Sequence, residues 1–419
     1  MKSALAPLRH RDYRLLAVSL VSSLFSAGVL VVALVWQVVA LGGGPSELAW
    51  ATTAQAGGML VTALPGGVLA DRLPQRVILC TVEFTKATAV ASAAVASLTG
   101  HLHLVHLVVV ALVGGIADGL YYPAYTAFLP KIVPADDLLA ANGLEGVFRP
   151  TLFNAAGPAV AGAVVAAASP GAALALVSLC ALIAGLALLP VRPTLPMSKG
   201  TAPRAGVHPM HSVLLDLIEG FRFMAVTPWL WATLGFASLA VLAIMGPFEV
   251  LIPFAIKDHA GGGPGDHAVV LAAFGAGGVL GSLLVASRPM PRRYLTLMIL
   301  LWGWGGLPLV VIGMTDSIPV MVASAFVIGG AFQAATVIWG TLLQRRVPPE
   351  LLGRVSSLDF FVSLLFMPVS MALAVPVSAA IGLAGAFVAA GVVPALLAIG
   401  FIVVPRLPAD EIAHPLRQA

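Results

Sequence analysis

The sequence predicts an all-α membrane protein of twelve transmembrane helices arranged as two pseudo-symmetric six-helix bundles. Three observations carry that expectation. Of 419 residues, 59% are hydrophobic and 10% are charged, whereas a soluble domain carries about 25% charged residues. The mean hydropathy is +1.01, with 43 Gly and 31 Pro, and membrane helices hold more of both than soluble ones. The apolar runs also have the length that a bilayer demands, and the basic residues alternate in step with them.

About twenty residues cross the hydrocarbon core. In the first half, nearly charge-free runs begin at Leu15, Leu48, Val77, Leu104, Leu138 and Ala172. The first, Leu15 to Leu41, is longer than a signal-peptide core and reads as a retained span. After an interruption, further runs begin near Trp229, His267, Tyr294, Ile318, Arg354 and Leu383. Pro65, Pro123, Pro158, Pro247, Pro308 and Pro368 fall inside these runs and predict kinks.

With twelve spans, 19 of the 22 Lys and Arg residues fall in the termini and in alternate loops. Lys257 lies in the opposite set, and Lys86 and Arg149 lie within spans. The positive-inside rule then places both termini in the cytoplasm, with the protein in a bacterial inner membrane. The same loops explain the pI near 9.3, so basicity gives no reason to expect a nucleic-acid partner. Cys80 and Cys180 sit in apolar runs and read as small hydrophobes.

Composition changes once, between residues 191 and 228, a Pro- and base-rich linker. It divides an amino bundle (1–190) from a carboxyl bundle (229–419). Within the linker, Val213, Leu214, Leu217, Ile218 and Phe221 form one helical stripe, as an interfacial or packed amphipathic helix would. Leu129–Leu138 aligns without gaps onto Leu343–Leu352, 214 positions later, and the same offset pairs Glu145 with Asp359. Two parallel six-helix repeats are a transporter signature, with substrate bound near the midplane between them.

Gly67-Val68-Leu69-Ala70-Asp71-Arg72-Leu73-Pro74-Gln75-Arg76 resembles the G-x-x-x-D-R-x-G-R-R/K loop of the major facilitator superfamily. Pro74 stands where that motif has Gly, and Gln75 where it has a base. Arg9 to Leu15 and the stretch Gln344 to Arg354 are similar to the superfamily's drug:proton antiporter group, which includes macrolide, multidrug and enterobactin exporters. Gly157-Pro158-Ala159-Val160-Ala161-Gly162 resembles part of its antiporter motif in helix 5, although close packing of small residues would explain it too.

The resemblance implies a cytoplasmic gate made of Asp71, Arg72, Arg76, Gly353, Arg354 and Asp359. Asp71 would face the positive amino end of helix 11 in one conformation only. It also implies a cavity between the halves, for which Phe25, Trp36, Gln37, Gln55, Tyr122, Phe248, Phe332, Gln333 and Phe361 are candidates. Phe274, Trp339, Phe360 and Phe366 lie on the same helices. Such a lining suits amphipathic molecules. A sugar or phosphate carrier would be expected to present more hydrogen-bonding groups.

Ionisable residues inside spans are costly and therefore functional candidates. The amino half places Glu83, Lys86, Asp118, Glu145 and Arg149 in helices 3, 4 and 5, at similar depths. Three acids against two bases leave one carboxyl without a counter-charge, able to exchange a proton. The expected odd acid is Asp118, nearest the midplane and on one stripe with Tyr122 and Tyr125. A permanently paired lock between the helices is the competing expectation. In the carboxyl half, Glu249 stands alone in helix 7, and Asp359 lies close enough to Arg354 to pair with it. Helix 1 lacks the acid common in antiporters of this kind.

No catalytic triad, nucleotide loop or metal cluster is legible, so neither an enzyme nor a cofactor is expected. The spacing of His101, His103 and His106 fits a solvated outer turn. The expectation is a monomeric, proton-coupled exporter of hydrophobic or amphipathic small molecules. The alternative is a dedicated exporter of one endogenous siderophore or lipid-like metabolite.

Overall fold

The computed structural model describes residues 6–134, 137–192, 221–286, 288 and 290–415. All regular secondary structure among them is helical. A short 3-10 turn, Ala6–Arg9, leads into α1 (Arg11–Ala40), α2 (Pro45–Arg72), α3 (Gln75–Leu98) and α4 (Leu104–Ile132). α5 runs through Leu138–Phe148, a π-helical stretch Arg149–Ala156, and Gly157–Ala167; α6 is Pro170–Leu188. α7 (Pro228–His259) contains two further π-helical stretches, Pro247–Leu251 and Ala255–His259. α8 (Pro264–Ala286), α9 (Tyr294–Met314) and α10 (Ile318–Arg346) follow.

The last two spans have no loop between them. α11 comprises Pro349–Leu364 and the first part of Met367–Val403, and α12 is the remainder of that segment. The break is one residue, Gly382, at φ 79° and ψ 161°, a conformation essentially reserved for glycine. A final short helix, α13 (Leu407–Ala413), ends the described chain.

Ten stretches are long and apolar enough to cross a bilayer, one of them the 46-residue Leu358–Val403 that Gly382 divides. With α2, whose polar residues include Glu47, Thr52, Thr53 and Gln55, the described residues carry twelve long helices. The chain is a multi-pass membrane protein.

The helices form two compact units, Met1–Ser198 with Gly262–Ala272, and Lys199–Gly261 with Ala273–Ala419. In the first, α2 and α4 approach through glycines. A Cβ at Gly58 would lie 2.7 Å from the Leu112 carbonyl oxygen, and one at Gly66 would lie 2.8 Å from that of Gly119. Small residues let membrane helices reach such separations. The second unit repeats the device, with Gly277, Gly281 and Gly329 at the α8–α10 contact.

The Gly-Pro sequence in helix 5 has a similar use. A Cβ on Gly157 would lie 2.8 Å from Gly28 of α1, so two glycines bring α1 and α5 together. The bend expected there appears as the π-helical turn that ends at Gly157. Most of the linker's predicted amphipathic helix lies outside the described residues; of its stripe only Phe221 is described, and it is exposed.

Candidate functional site

The first unit's charges form a layer across α3, α4 and α5. Lys86 is buried and donates to Asp118 across α3 and α4 at 2.9 Å. Its ammonium also lies 5.9 Å from the centroid of the Tyr121 ring, within reach of a cation–π attraction. Tyr121 and Tyr125 stack with centroids 6.1 Å apart and planes 9° from parallel. Arg149 pairs with Glu145 one turn away at 2.8 Å, the i,i+4 geometry of a helix surface.

That arrangement changes which acid lacks a base. Asp118, the expected odd acid, holds Lys86, and Glu145 holds Arg149. Glu83 is left over, fully buried at 0% exposure. One of its oxygens accepts a 2.6 Å hydrogen bond from Ser23 of α1. The other is buried with no hydrogen-bond partner among the described residues. The reason for the exchange is reach: the four-carbon stem of Lys86 crosses to α4 rather than folding back along α3 to Glu83.

Ser23 was not legible as a site residue. The available signal is the run Ser19, Ser23 and Ser26 at three- and four-residue spacing on an apolar helix, all three of them buried. Tyr122, expected beside Asp118, is 46% exposed, whereas Tyr125 is buried and Tyr121 is partly buried.

The second unit presents two acids of a different kind. Glu249 sits in the π-helical turn Pro247–Leu251 of α7. It has neither an ion pair nor a hydrogen bond among the described residues. Its neighbour Phe248 packs on Phe274 of α8 at 5.1 Å between centroids. Asp359 of α11 accepts from the Trp339 indole at 3.0 Å and from Ser363 at 3.2 Å. The expected contact to Arg354 falls on a side chain outside the described residues. Trp339 also meets Trp229 and Trp302 at 6.1 and 6.3 Å, and Trp302 meets Phe332 at 6.5 Å.

The remaining cavity candidates separate by environment. Gln37 is 3% exposed and accepts from Ser97 of α3 at 2.7 Å, so it ties helices together rather than offering a free amide. Phe25 and Trp36 are partly buried against the first unit's core. Gln55 lies where α2 meets Gly115 of α4, and Gln333 lies beside Gly278. Phe332 is 41% exposed, and Phe361 is partly buried.

Of the gate residues, the side chains of Asp71, Arg72, Gly353 and Arg354 lie outside the described residues. Arg76 is described, and it closes the end of α6 by donating to the carbonyls of Leu188, at 3.1 Å, and Leu189. Gln75, the departure from the loop motif, is buried and accepts from Lys131 of α4 at 2.8 Å. Its amide donates to the Ala70 carbonyl, so an amide joins α2, α3 and α4 where the motif has a charge.

The carboxyl end adds a cluster that the sequence did not announce. Glu411 of α13 is fully buried and accepts from the Leu295 and Thr296 amides and the Thr296 hydroxyl, at 2.9, 3.1 and 2.7 Å. It thereby satisfies the free amino end of α9. Arg346 pairs with Asp410 at 2.6 Å and covers the Trp229 ring at 4.7 Å. Among the described residues no group of three or more His, Cys, Asp or Glu is placed to hold a metal ion. His106 instead meets the Ser92 hydroxyl at 2.9 Å.

The family model described as Major Facilitator Superfamily matches residues 16–367. The chain is 28% identical over 391 residues to the multidrug efflux pump Tap of Mycolicibacterium fortuitum, covering 91% of this chain and 92% of that one. It is 23% identical over 385 residues to macrolide efflux protein A of Streptococcus pyogenes, covering 90% and 92%. The crystal structure of nucleoside transporter NupG superposes with a TM-score of 0.69 at 13% identity, over 94% of this chain and 98% of that one. At that identity the likeness is one of fold.

Proposed function

The chain belongs to the Major Facilitator Superfamily, and we propose that it exports hydrophobic or amphipathic small molecules in exchange for protons, by alternating access. Export is supported by the relatives, one called a multidrug efflux pump and the other a macrolide efflux protein. The alternation of Lys and Arg along the sequence supports a bacterial inner-membrane location with both termini in the cytoplasm.

The observation that carries proton exchange is Glu83, a fully buried acid bonded to a serine while both neighbouring bases are engaged elsewhere. A carboxylate in that position without a base would be costly, whereas a neutral carboxyl is tolerated. Glu83 and Lys86 are three residues apart on one helix and therefore share a face. When Glu83 gives up its proton, the new charge competes with Asp118 for Lys86. The ammonium is then drawn along α3, and the α3–α4 tie loosens. Proton loss thus alters helix contacts, as coupling requires, and the carboxyls titrate as one set.

Asp71, Arg72, Gly353, Arg354 and Asp359 remain the proposed gate. Arg76 acts within the first unit, as a clamp on α6. The second unit supplies the substrate surface, where Phe248 and Phe332 with Glu249 favour amphipathic cations.

The test is substrate-driven proton movement in proteoliposomes under an imposed pH gradient, using lipophilic cations and neutral macrolides. Wild type should release protons with substrate, and Glu83→Gln should not. Full coupled transport by Glu83→Gln would sink the assignment, and transport by wild type without proton movement would remove proton exchange altogether.

A further inference from the structure

A groove of about 770 Å³ lies on the first unit between α3 and α6, within the size range of small-molecule sites. Its wall is formed by Val77, Cys80, Phe84, Thr85 and Thr88, and among the described residues Arg76 is its only charged lining residue. No carboxylate lines it among the described residues. We propose that this groove binds one anionic phospholipid, with an acyl chain along α3 and the phosphate at Arg76.

Length comes first. Arg76 and Thr88 are twelve residues apart on one helix, about 18 Å along its axis. Half of the hydrocarbon core is about 15 Å, so the groove runs the depth of one leaflet. On the orientation proposed above, that leaflet is the cytoplasmic one.

Chemistry matches the length. Val77 is 54% exposed and Leu189 is 46% exposed, leaving an apolar rim. The Thr88 hydroxyl is spent on the Phe84 carbonyl at 2.7 Å, so it presents a methyl group rather than an unmet donor. Gly185 of α6 lets the Phe84 ring seat closely against that helix, because a Cβ there would come within 3.1 Å of the ring. A polar solute gains little in such a channel, and a hydrocarbon chain fits it.

The head of the groove is cationic and fixed. A guanidinium has five N–H donors, and Arg76 commits two of them, to the carbonyls of Leu188 and Leu189. Three remain for a phosphate, on a side chain already held in place. Arg192, exposed just past the end of α6, adds a second positive charge there. Basic residues at this level of a membrane attract anionic lipids.

The experiment is native mass spectrometry of the full-length protein in detergent, titrated with dioleoyl phosphatidylglycerol or dioleoyl phosphatidylcholine. Wild type should retain one phosphatidylglycerol about fivefold more tightly than phosphatidylcholine. Arg76→Gln should bring the two lipids to parity. Thr85→Trp, an exposed position that fills the channel without touching the arginine, should weaken both. Arg76→Lys keeps the charge and should retain the preference even if α6 is less well capped.

Equal binding of the two lipids by wild type would overturn the proposal, as would undiminished binding by Thr85→Trp. Displacement of the bound lipid by a transported macrolide at stoichiometric concentration would reassign the groove to substrate. None of these readouts uses a proton gradient, so they stand or fall separately from the exchange mechanism.

Discussion

The two units solve the problem of buried charge in opposite ways. In the first, acids and bases lie at one level and share partners, leaving Glu83 bonded to Ser23. In the second, Glu249 and Asp359 have no base beside them among the described residues; Asp359 is held by an indole and a hydroxyl, and Glu249 stands next to the packed rings of Phe248 and Phe274. A shared network has several arrangements of similar energy, which is what a switch needs. An isolated acid among aromatic rings lacks a counter-charge, which a cationic guest would supply. On the proposed function the contrast would divide the labour, with proton handling in one unit and substrate recognition in the other.

The largest test of that division compares the acids directly. Glu83→Gln should reduce substrate-dependent proton release to that of empty vesicles, whereas Glu249→Gln should keep release and lose preference for cations over neutral macrolides. The reverse pattern would exchange the roles of the units.

Next comes Lys86→Met, which leaves Asp118 without its base. It should lower stability in detergent by about 2–3 kcal/mol, less than for a fully buried pair because Asp118 is partly exposed. Adding Asp118→Asn should restore most of the loss in a thermal unfolding assay. No recovery would mean that the pair is not the network's organising contact.

Two smaller effects compare single hydrogen bonds in the two units. Trp339→Phe removes the indole donor to Asp359 and should cost about 2 kcal/mol, as for bonds to charged acceptors. Ser23→Ala removes the donor to Glu83 and should cost about 1 kcal/mol, as for a neutral acceptor. Equal costs at fixed pH in chemical denaturation would contradict a protonated Glu83 in the first unit and an ionised Asp359 in the second.

Span positions and the charged layer were legible because apolar length and stray charges are local properties of the chain. Pairing was not. Glu83 and Lys86 share a helix face in the sequence, yet the lysine's partner is decided by the distance to Asp118 on α4. Ser23 was hidden because a serine in a membrane helix ordinarily satisfies itself on the preceding turn. Gln75 appeared as a weakened motif position, and only packing shows its amide meeting both Lys131 and Ala70. Glu411 carries no local signal of its role, which comes from the three donors at the open amino end of α9.

Gly382 has a consequence for how the chain is made. If residues 367–403 continued as one helix, it would be about 55 Å long, nearly twice the hydrocarbon thickness of about 30 Å. During insertion, one backbone dihedral therefore determines whether this stretch is threaded once or turned back. Gly382→Val should make that decision fail in part of the population. Protease digestion of a carboxyl-terminal tag in intact and opened vesicles would count the misoriented molecules. The docking of α13, and with it the capping of α9 by Glu411, is thus inherited from a turn of one residue.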